Sequence, residues 1–257
     1  MCVICATNPL RFSRRAFVAA APAAVLAACA TNPYTGRNQL VGLADSAQIQ
    51  QMGLQAWAQE RRTKPVWNNA AQQQRLQRIG QRVSAQAQVP NAQWEFVAFD
   101  SAELNAYVLP GGKVGFYRGI MELAQNDDQI ATVMSHEVGH LIGRHVEERY
   151  SQAVAQQGAV AVTGAATNSQ LAQVLGLGLQ VGVGLPHSRS QEAEADRIGI
   201  DLMHAAGYDV RQAIPFWQAM SARGGSRPPP FLSTHPDPAS RIADIRNHIN
   251  MRGWGPV

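Results

Sequence analysis

The stretch that decides the fold covers residues 127–150 and reads DDQIATVMSHEVGHLIGRHVEERY. It follows Asn126 directly, and an asparagine before two aspartates is typical of a helix N-terminus. The apolar residues that follow recur at helical spacing, so we predict one helix from residue 127 to about residue 157. His136 and His140 are four residues apart on this helix, and their imidazoles therefore lie on one face.

The residues HEVGH at positions 136–140 match HExxH, a pattern in which two histidines bind one zinc ion. Glu137 then lies beside the ion, where its carboxylate serves as general base. Chance matches occur on surface helices, but here the flanking positions are apolar and predict a buried helix. Buried histidines need a compensating partner, so the sequence predicts one Zn²⁺ per chain, bound by His136 and His140.

A catalytic zinc ion has three protein ligands and one open position, and two residues compete to be the third ligand. His145 is nine residues after His136, about 180° around the axis of a continuous helix at 100° per residue. It is expected to face away from the metal, and we interpret it as a packing or capping histidine.

The second candidate is Glu192, in the sequence QEAEAD at residues 191–196. Glu192 and Asp196 share a helix face, whereas Glu194 points elsewhere. Glu192 is able to bind the metal while Asp196 accepts the second N–H of a ligand histidine. Taken alone, this segment also fits a solvated acidic helix face; its pairing with HExxH favours the metal site.

HEVGH at 136–140, followed by SRSQEAEAD at 188–196, resembles the M48 family of zinc peptidases. The resemblance extends from about Gly36 to Ile249 and includes NAY at 105–107, PGG at 110–112, HP at 235–236 and RI at 241–242. It implies a zincin-type metallopeptidase domain with Glu192 as third ligand. The chain is similar to the compact lipoprotein members, because convincing membrane spans and a C-terminal helical-repeat extension are not found.

The remaining pattern predicts an α+β fold that is mainly helical, in one peptidase domain at residues 45–257. Three extended runs predict a small antiparallel sheet beside the HExxH helix; they cover residues 93–99, 105–109 and 113–117. Further helices are predicted from their apolar spacing; they cover residues 45–62, 68–88, 190–206, 210–222 and 238–250.

His235, in the sequence STHP, is the candidate for a second donor to the oxyanion of the reaction, with Arg241 as a weaker candidate. Two other interpretations of His235 stay open. The first is a structural role, in which it packs in a loop against Trp217 or caps the following helix. The second is a gate, in which it covers the metal in a resting state.

Gly111, Gly112 and Lys113 are candidates for a substrate-binding strand, because glycines permit the close approach of a peptide backbone. A plain hairpin turn explains the same residues. Residues 158–185 are rich in glycine and apolar residues but contain no uninterrupted apolar run of about eighteen. We favour a mobile flap over the site; a membrane-contacting hairpin is the alternative.

Residues 1–28 are predicted to be a lipoprotein signal peptide. SRRAFV at 13–18 resembles a twin-arginine signal, although the general secretory route stays open, and LAAC at 26–29 resembles a lipobox. Cleavage would leave Cys29 as the lipidated N-terminus, followed by a tether at residues 29–44. Alanine at the next position predicts the periplasmic face of the outer membrane in a Gram-negative host.

Charge excludes a nucleic-acid function. The net charge of +4 comes from 22 basic and 18 acidic residues, and residues 1–28 contain three arginines and no acid. The mature chain would therefore carry 19 basic and 18 acidic residues, too even a balance for nucleic-acid binding. No disulfide is expected, since Cys2 and Cys5 leave with the signal.

Two functions follow as expectations. The first is a zinc-dependent endopeptidase of the bacterial cell envelope that degrades unfolded or misassembled proteins and is held to the membrane by the lipid at Cys29. The second is a metal-bound lipoprotein that acts as an assembly or holding factor with latent proteolysis. The intact glutamate beside the metal ligands favours the first, because a pure binding protein has no need of it.

Overall fold

A computed structural model of the 257-residue chain describes residues 29–32, 34–43, 45–162, 186–223, 228–236 and 240–255. The predicted signal peptide and most of the predicted flap at 158–185 lie outside these residues. Among the described helices, none has both the length and the apolar character needed to cross a bilayer.

The described part of the chain is mainly helical, which confirms the predicted α+β class. The strands are β1 (Cys29–Thr31), β2 (Asn38–Leu40), β3 (Glu95–Phe99), β4 (Ala106–Leu109) and β5 (Lys113–Tyr117). The helices are α1 (Ser46–Thr63), α2 (Ala70–Ser84), α3 (Arg118–Leu123), α4 (Asp127–Ile142), α5 (His145–Val162), α6 (Arg189–Ala205), α7 (Ala213–Ser221), α8 (Pro230–Thr234) and α9 (Arg241–Met251). A short 3₁₀ turn, Val210–Gln212, precedes α7.

Helix α4, which carries HExxH, is the centre of the core. It begins where the Asn126 side chain accepts a hydrogen bond from the Gln129 N–H, as the sequence predicts. Almost every residue of α4 is buried, because α6 packs along it while α2 and β4 cover its other sides. The metal-binding motif is therefore held by core packing on several sides.

The predicted single helix over residues 127–157 is wrong at residues 143–144. Helix α4 ends at Ile142 and α5 begins at His145, because Arg144 adopts a left-handed conformation with φ of 54°. A Cβ atom at Gly143 would lie 2.4 Å from Nε2 of His145, so only glycine leaves room for that ring. The break changes the direction in which His145 points.

The sheet order is β3-β5-β4, and the predicted antiparallel sheet is only partly correct. Strands β4 and β5 are antiparallel, since the tight turn through Gly111 and Gly112, with φ of 88° and 82°, joins them. Strand β3 is parallel to β5 on the other side, because the chain crosses over before β4. Alternating polarity predicts strands but does not reveal their direction.

The predicted tether at residues 29–44 contains an antiparallel hairpin, in which β1 pairs with β2. Asn32 shapes its turn by accepting a hydrogen bond from the Tyr34 N–H at 2.8 Å. Gln39 and Val41 are buried against the domain. Strands of three residues are too short to show a periodic signal, which is why the sequence pattern did not indicate them.

Candidate metal centre

Four buried side chains converge on one point: His136, His140, Glu192 and His235. Nε2 of His136 lies 3.1 Å from Nε2 of His140 and 3.4 Å from a carboxylate oxygen of Glu192. The other oxygen of Glu192 lies 3.4 Å from Nε2 of His140. Ligands on one tetrahedral zinc ion, with bonds of 2.0–2.1 Å, are separated by about 3.3 Å. The donor atoms therefore fit a single zinc-sized ion, and the predicted trio lies together.

Glu192 reaches this point from the first turn of α6. Ser188 and Gln191 form a reciprocal capping box that fixes the start of the helix at Arg189, three residues before Glu192. The carboxylate is fully buried, and His235 and His136 hold its pKa well below the ordinary value despite burial, which raises it. A carboxylate that stays ionised in this setting is a suitable metal ligand.

The outer nitrogen of His136 is held by the residue that the sequence predicted. Nδ1 of His136 lies 2.9 Å from Asp196, which leaves Nε2 for the metal. Arg241 donates to Asp196 at 2.8 Å and to Glu192 at 2.6 Å, and its guanidinium lies over the Trp217 ring. Arg241 thus orients two carboxylates of the metal centre, and these bonds do not support the oxyanion role for which it was the weaker candidate.

His145 does not face away from the metal centre, and that prediction is wrong. The helix break places its Nδ1 atom 2.7 Å from Nδ1 of His140, while its Nε2 atom lies 2.9 Å from Glu194. Glu194 points away from the face of Glu192 and Asp196, as expected, and is buried beside His145. The glycine at 143 is the sequence signal that could have indicated a break.

His187 was missed by sequence reasoning. Its ring centroid lies 3.9 Å from that of His140, and its backbone N–H donates to the Thr234 carbonyl. His140, His145 and His187 form a second group of potential ligands. The 2.7 Å between the Nδ1 atoms of His140 and His145 is a hydrogen-bond distance, shorter than two ligands of one ion require. We therefore interpret His145 as hydrogen-bonded support for His140, with the His187 ring packed against it.

Glu137 lies beside the cage and lines an open cleft. Burial raises the pKa of its carboxyl above the ordinary value, although His235 and His136 oppose the shift. Its Oε1 atom is buried without a hydrogen-bond partner among the described residues. A buried carboxylate with a raised pKa and an unused oxygen is suited to accept a proton.

His235 closes the fourth side of the cage. Its Nδ1 atom lies 3.1 Å from Glu192, and its Nε2 atom lies 3.6 Å from Glu137. The ring stacks on Phe231 with centroids 4.3 Å apart, and does not pack on Trp217 as one interpretation expected. Among the interpretations left open, this placement favours a residue that covers the metal.

A narrow cleft lies beside Glu137. It is bordered by β4 on one side and by the histidines of the metal centre on the other; its lining includes Asn105, Ala106, Tyr107, Val108, Val146, Arg149 and Thr234. Gly111, Gly112 and Lys113 are not part of this lining. Lys113 begins β5, which is paired along both edges, and Gly112 packs against Trp94.

Two helices that enclose a buried His–His–carboxylate site, with a glutamate beside it, define a metallopeptidase of the HExxH class. Comparison with known proteins agrees, since the model of Peptidase family M48 matches residues 70–249. The chain belongs to peptidase family M48, which confirms the predicted family.

Relatives with assigned names point the same way. The beta-barrel assembly-enhancing protease of Escherichia coli (strain K12) is 31% identical over 216 residues, which cover 79% of this chain and 44% of that protein. The mitochondrial metalloendopeptidase OMA1 of Schizosaccharomyces pombe is 34% identical over 178 residues, 68% of this chain and 52% of that protein. The chain thus spans about half the length of these relatives, and both names support a metalloendopeptidase.

Proposed function

We propose that this chain is a zinc-dependent endopeptidase in which His136, His140 and Glu192 bind the metal and Glu137 is the general base. The convergence of these donor atoms to within 3.4 Å, from two helices about fifty residues apart in the chain, carries the proposal. Bound zinc would supply a Lewis acid that polarises a peptide carbonyl and lowers the pKa of water.

Glu137 performs the proton transfers of this reaction. Its unused Oε1 atom takes a proton from the attacking water, and the same carboxyl then delivers that proton to the leaving amine. Burial raises the pKa of Glu137, which makes its carboxylate a stronger base than one in solvent. Because Glu137 is also excluded from solvent, its electrostatic contacts with the reacting groups are stronger than they would be in water.

The peptide substrate binds along β4. This strand lines the cleft beside Glu137, and within the described sheet only its inner edge is paired. A peptide added to the outer edge makes main-chain hydrogen bonds that do not depend on side-chain identity. Such binding suits an enzyme that accepts many unfolded sequences.

His235 covers the metal when no substrate is present. Its Nδ1 atom belongs to the same cage as the three ligands, so water and substrate reach the metal only after the ring has moved. This placement also supports the second function, a metal-bound assembly or holding factor whose proteolysis is latent. The two functions differ in whether Glu137 is needed in the cell.

The cellular role is quality control of unfolded or misassembled envelope proteins. The name of the E. coli relative, a beta-barrel assembly-enhancing protease, supports a place in the cell envelope. Cys29 is exposed at the start of β1, where a lipid would hold the domain at the periplasmic face of the outer membrane. Lipid anchoring and export of residues 1–28 are part of this proposal.

Casein cleavage by the purified protein tests the activity. We expect cleavage with zinc, none in Glu137→Gln, and equal zinc content in both proteins. Full cleavage by Glu137→Gln would refute the endopeptidase mechanism. Complementation of a deletion strain by the same variant would instead favour the assembly or holding function.

A further inference from the structure

A buried chain of contacts extends from His140 to the N-terminal hairpin. Nδ1 of His140 lies 2.7 Å from Nδ1 of His145, whose Nε2 atom lies 2.9 Å from a carboxylate oxygen of Glu194. The Nε of Arg37, in the hairpin, donates to the same oxygen at 2.8 Å. His140, His145 and Glu194 are each no more than 3% exposed.

We propose that His145 and Glu194, held by Arg37, are positioning residues that fix the metal-binding tautomer of His140. The inference rests on the proposed metal site and concerns residues outside its ligand set. Its physical basis is the order of donors and acceptors along the chain of contacts.

An ionised carboxylate only accepts hydrogen bonds, so the contact with Glu194 requires a proton on Nε2 of His145. A neutral imidazole has one N–H, which leaves Nδ1 of His145 as an acceptor. Nδ1 of His140 is then the donor across the 2.7 Å contact. Nε2 of His140 consequently carries no proton, and its lone pair points into the cage.

The other ligand histidine has a parallel arrangement. Nδ1 of His136 contacts Asp196, and Asp196 accepts from Arg241. Each ligand imidazole is therefore followed by a carboxylate and then by an arginine. On the His140 side, one additional imidazole, His145, stands between ligand and carboxylate. Partners of this kind orient metal ligands and raise their affinity for the ion.

Arg37 is placed to hold Glu194 because it also binds a second acid. Its terminal nitrogens donate to both carboxylate oxygens of Glu148 at 2.7 Å. Gln39, two residues on, donates to the carbonyl of Gly143 at 2.6 Å, at the break that turns His145 inward. The hairpin thus supports the metal centre from a distant part of the sequence.

The test compares zinc affinity in the full-length protein with Glu194→Gln and Arg37→Gln. Asp201→Asn is the matched control, because Asp201 is on the same helix α6 and accepts from His248 at 2.7 Å, away from the metal ligands. Zinc dissociation constants come from chelator competition, and the visible spectrum of the Co²⁺-loaded protein reports ligand geometry. Unfolding midpoints of the metal-free proteins separate positioning from stability.

We expect zinc binding to weaken roughly 10–100-fold in Glu194→Gln and several-fold in Arg37→Gln, with an altered Co²⁺ spectrum. Asp201→Asn is expected to keep the zinc affinity of the wild type, with a similar unfolding midpoint. Affinity equal to the control in both variants would overturn the proposal.

A conservative variant tests the tautomer directly. The side-chain oxygen of asparagine replaces the accepting Nδ1 atom, so His145→Asn is expected to retain more zinc affinity than His145→Ala; equal losses would contradict the proposal.

Wild-type protein that binds one zinc but does not cleave casein would refute the endopeptidase function alone. Wild-type protein without zinc affinity would refute both.

Discussion

Gly139 of α4 faces the backbone carbonyl of Ala195 of α6 so closely that a Cβ atom at position 139 would lie 2.7 Å from that oxygen. One turn along, a Cβ atom at Gly199 would lie 3.0 Å from the backbone nitrogen of His136. The two helices therefore approach backbone to backbone. This close crossing is what brings Glu192 to the two histidines.

Gly139→Ala is expected to push α6 away from α4 and to weaken zinc binding. Overpacking a tight core contact costs about 1–3 kcal/mol in the free energy of unfolding. Gly80→Ala is the matched control, because a Cβ atom there would lie 2.4 Å from the Phe96 ring, away from the metal. Chelator competition should show weaker zinc binding in Gly139→Ala only. Equal affinity in both variants would show that the glycine serves packing alone.

Removing the metal is expected to lower the stability of the whole domain. The cage joins α4 to α6, so an ion bound there stabilises the folded state and not the unfolded chain. Zinc at a hundred times its dissociation constant would contribute about 2.7 kcal/mol. Thermal unfolding with and without chelator measures the shift. The shift should vanish in Glu192→Ala; if it persists there, the stabilising ion is bound elsewhere.

The proposed ligand set was predictable because it depends on short spacings. HExxH puts two imidazoles on one face of a helix, and Glu192 with Asp196 repeats the same four-residue rule on another. These rules need only the local helix, and both helices begin within one residue of the predicted positions. The close packing of α6 on α4 then brings residues 136, 140, 192 and 196 together.

The support around His140 was not predictable, because it depends on one dihedral angle and on distant contacts. Arg144 adopts a positive φ, which turns His145 inward. The predicted angle of 180° between His136 and His145 around one helix axis therefore does not apply. Arg37 and Glu194 are 157 positions apart, and no periodicity links them. His187 lies in an irregular segment before α6, where the spacing of residues does not predict the direction of a side chain.

Acid is expected to loosen the hairpin through Glu148. Burial raises the pKa of this carboxyl, but hydrogen bonds from Arg37 and Gln191 outweigh it and hold the pKa below its ordinary value. A lowered folded-state pKa adds stability above the unfolded pKa and loses it as the pH falls through the folded value. In metal-free protein, wild type should exceed Glu148→Gln in stability by the largest amount near neutrality. This difference should shrink as the pH falls below about 4. Urea unfolding across this range measures it.

Glu147→Gln provides the control for that experiment. It removes one acid at the neighbouring position, whose partner is Arg144. We expect a smaller effect at every pH, since the Arg144 side chain is 42% exposed and surface ion pairs contribute little. A Glu148→Gln difference that stays constant down to pH 3 would show that the charge of Glu148 does not hold the hairpin.

His235→Ala decides between the two roles of that histidine. If the ring covers the metal, its removal opens the cage, and casein cleavage should become several-fold faster at low substrate concentration. If it stabilises the oxyanion, its removal should lower kcat about 10²–10³-fold. The position of Nδ1, 3.1 Å from Glu192 and inside the ligand cage, leads us to expect the faster enzyme. Phe231→Leu, which removes only the ring stacked on His235, should shift the rate in the same direction by less. A hundredfold loss in His235→Ala with unchanged zinc content would assign the residue to catalysis instead.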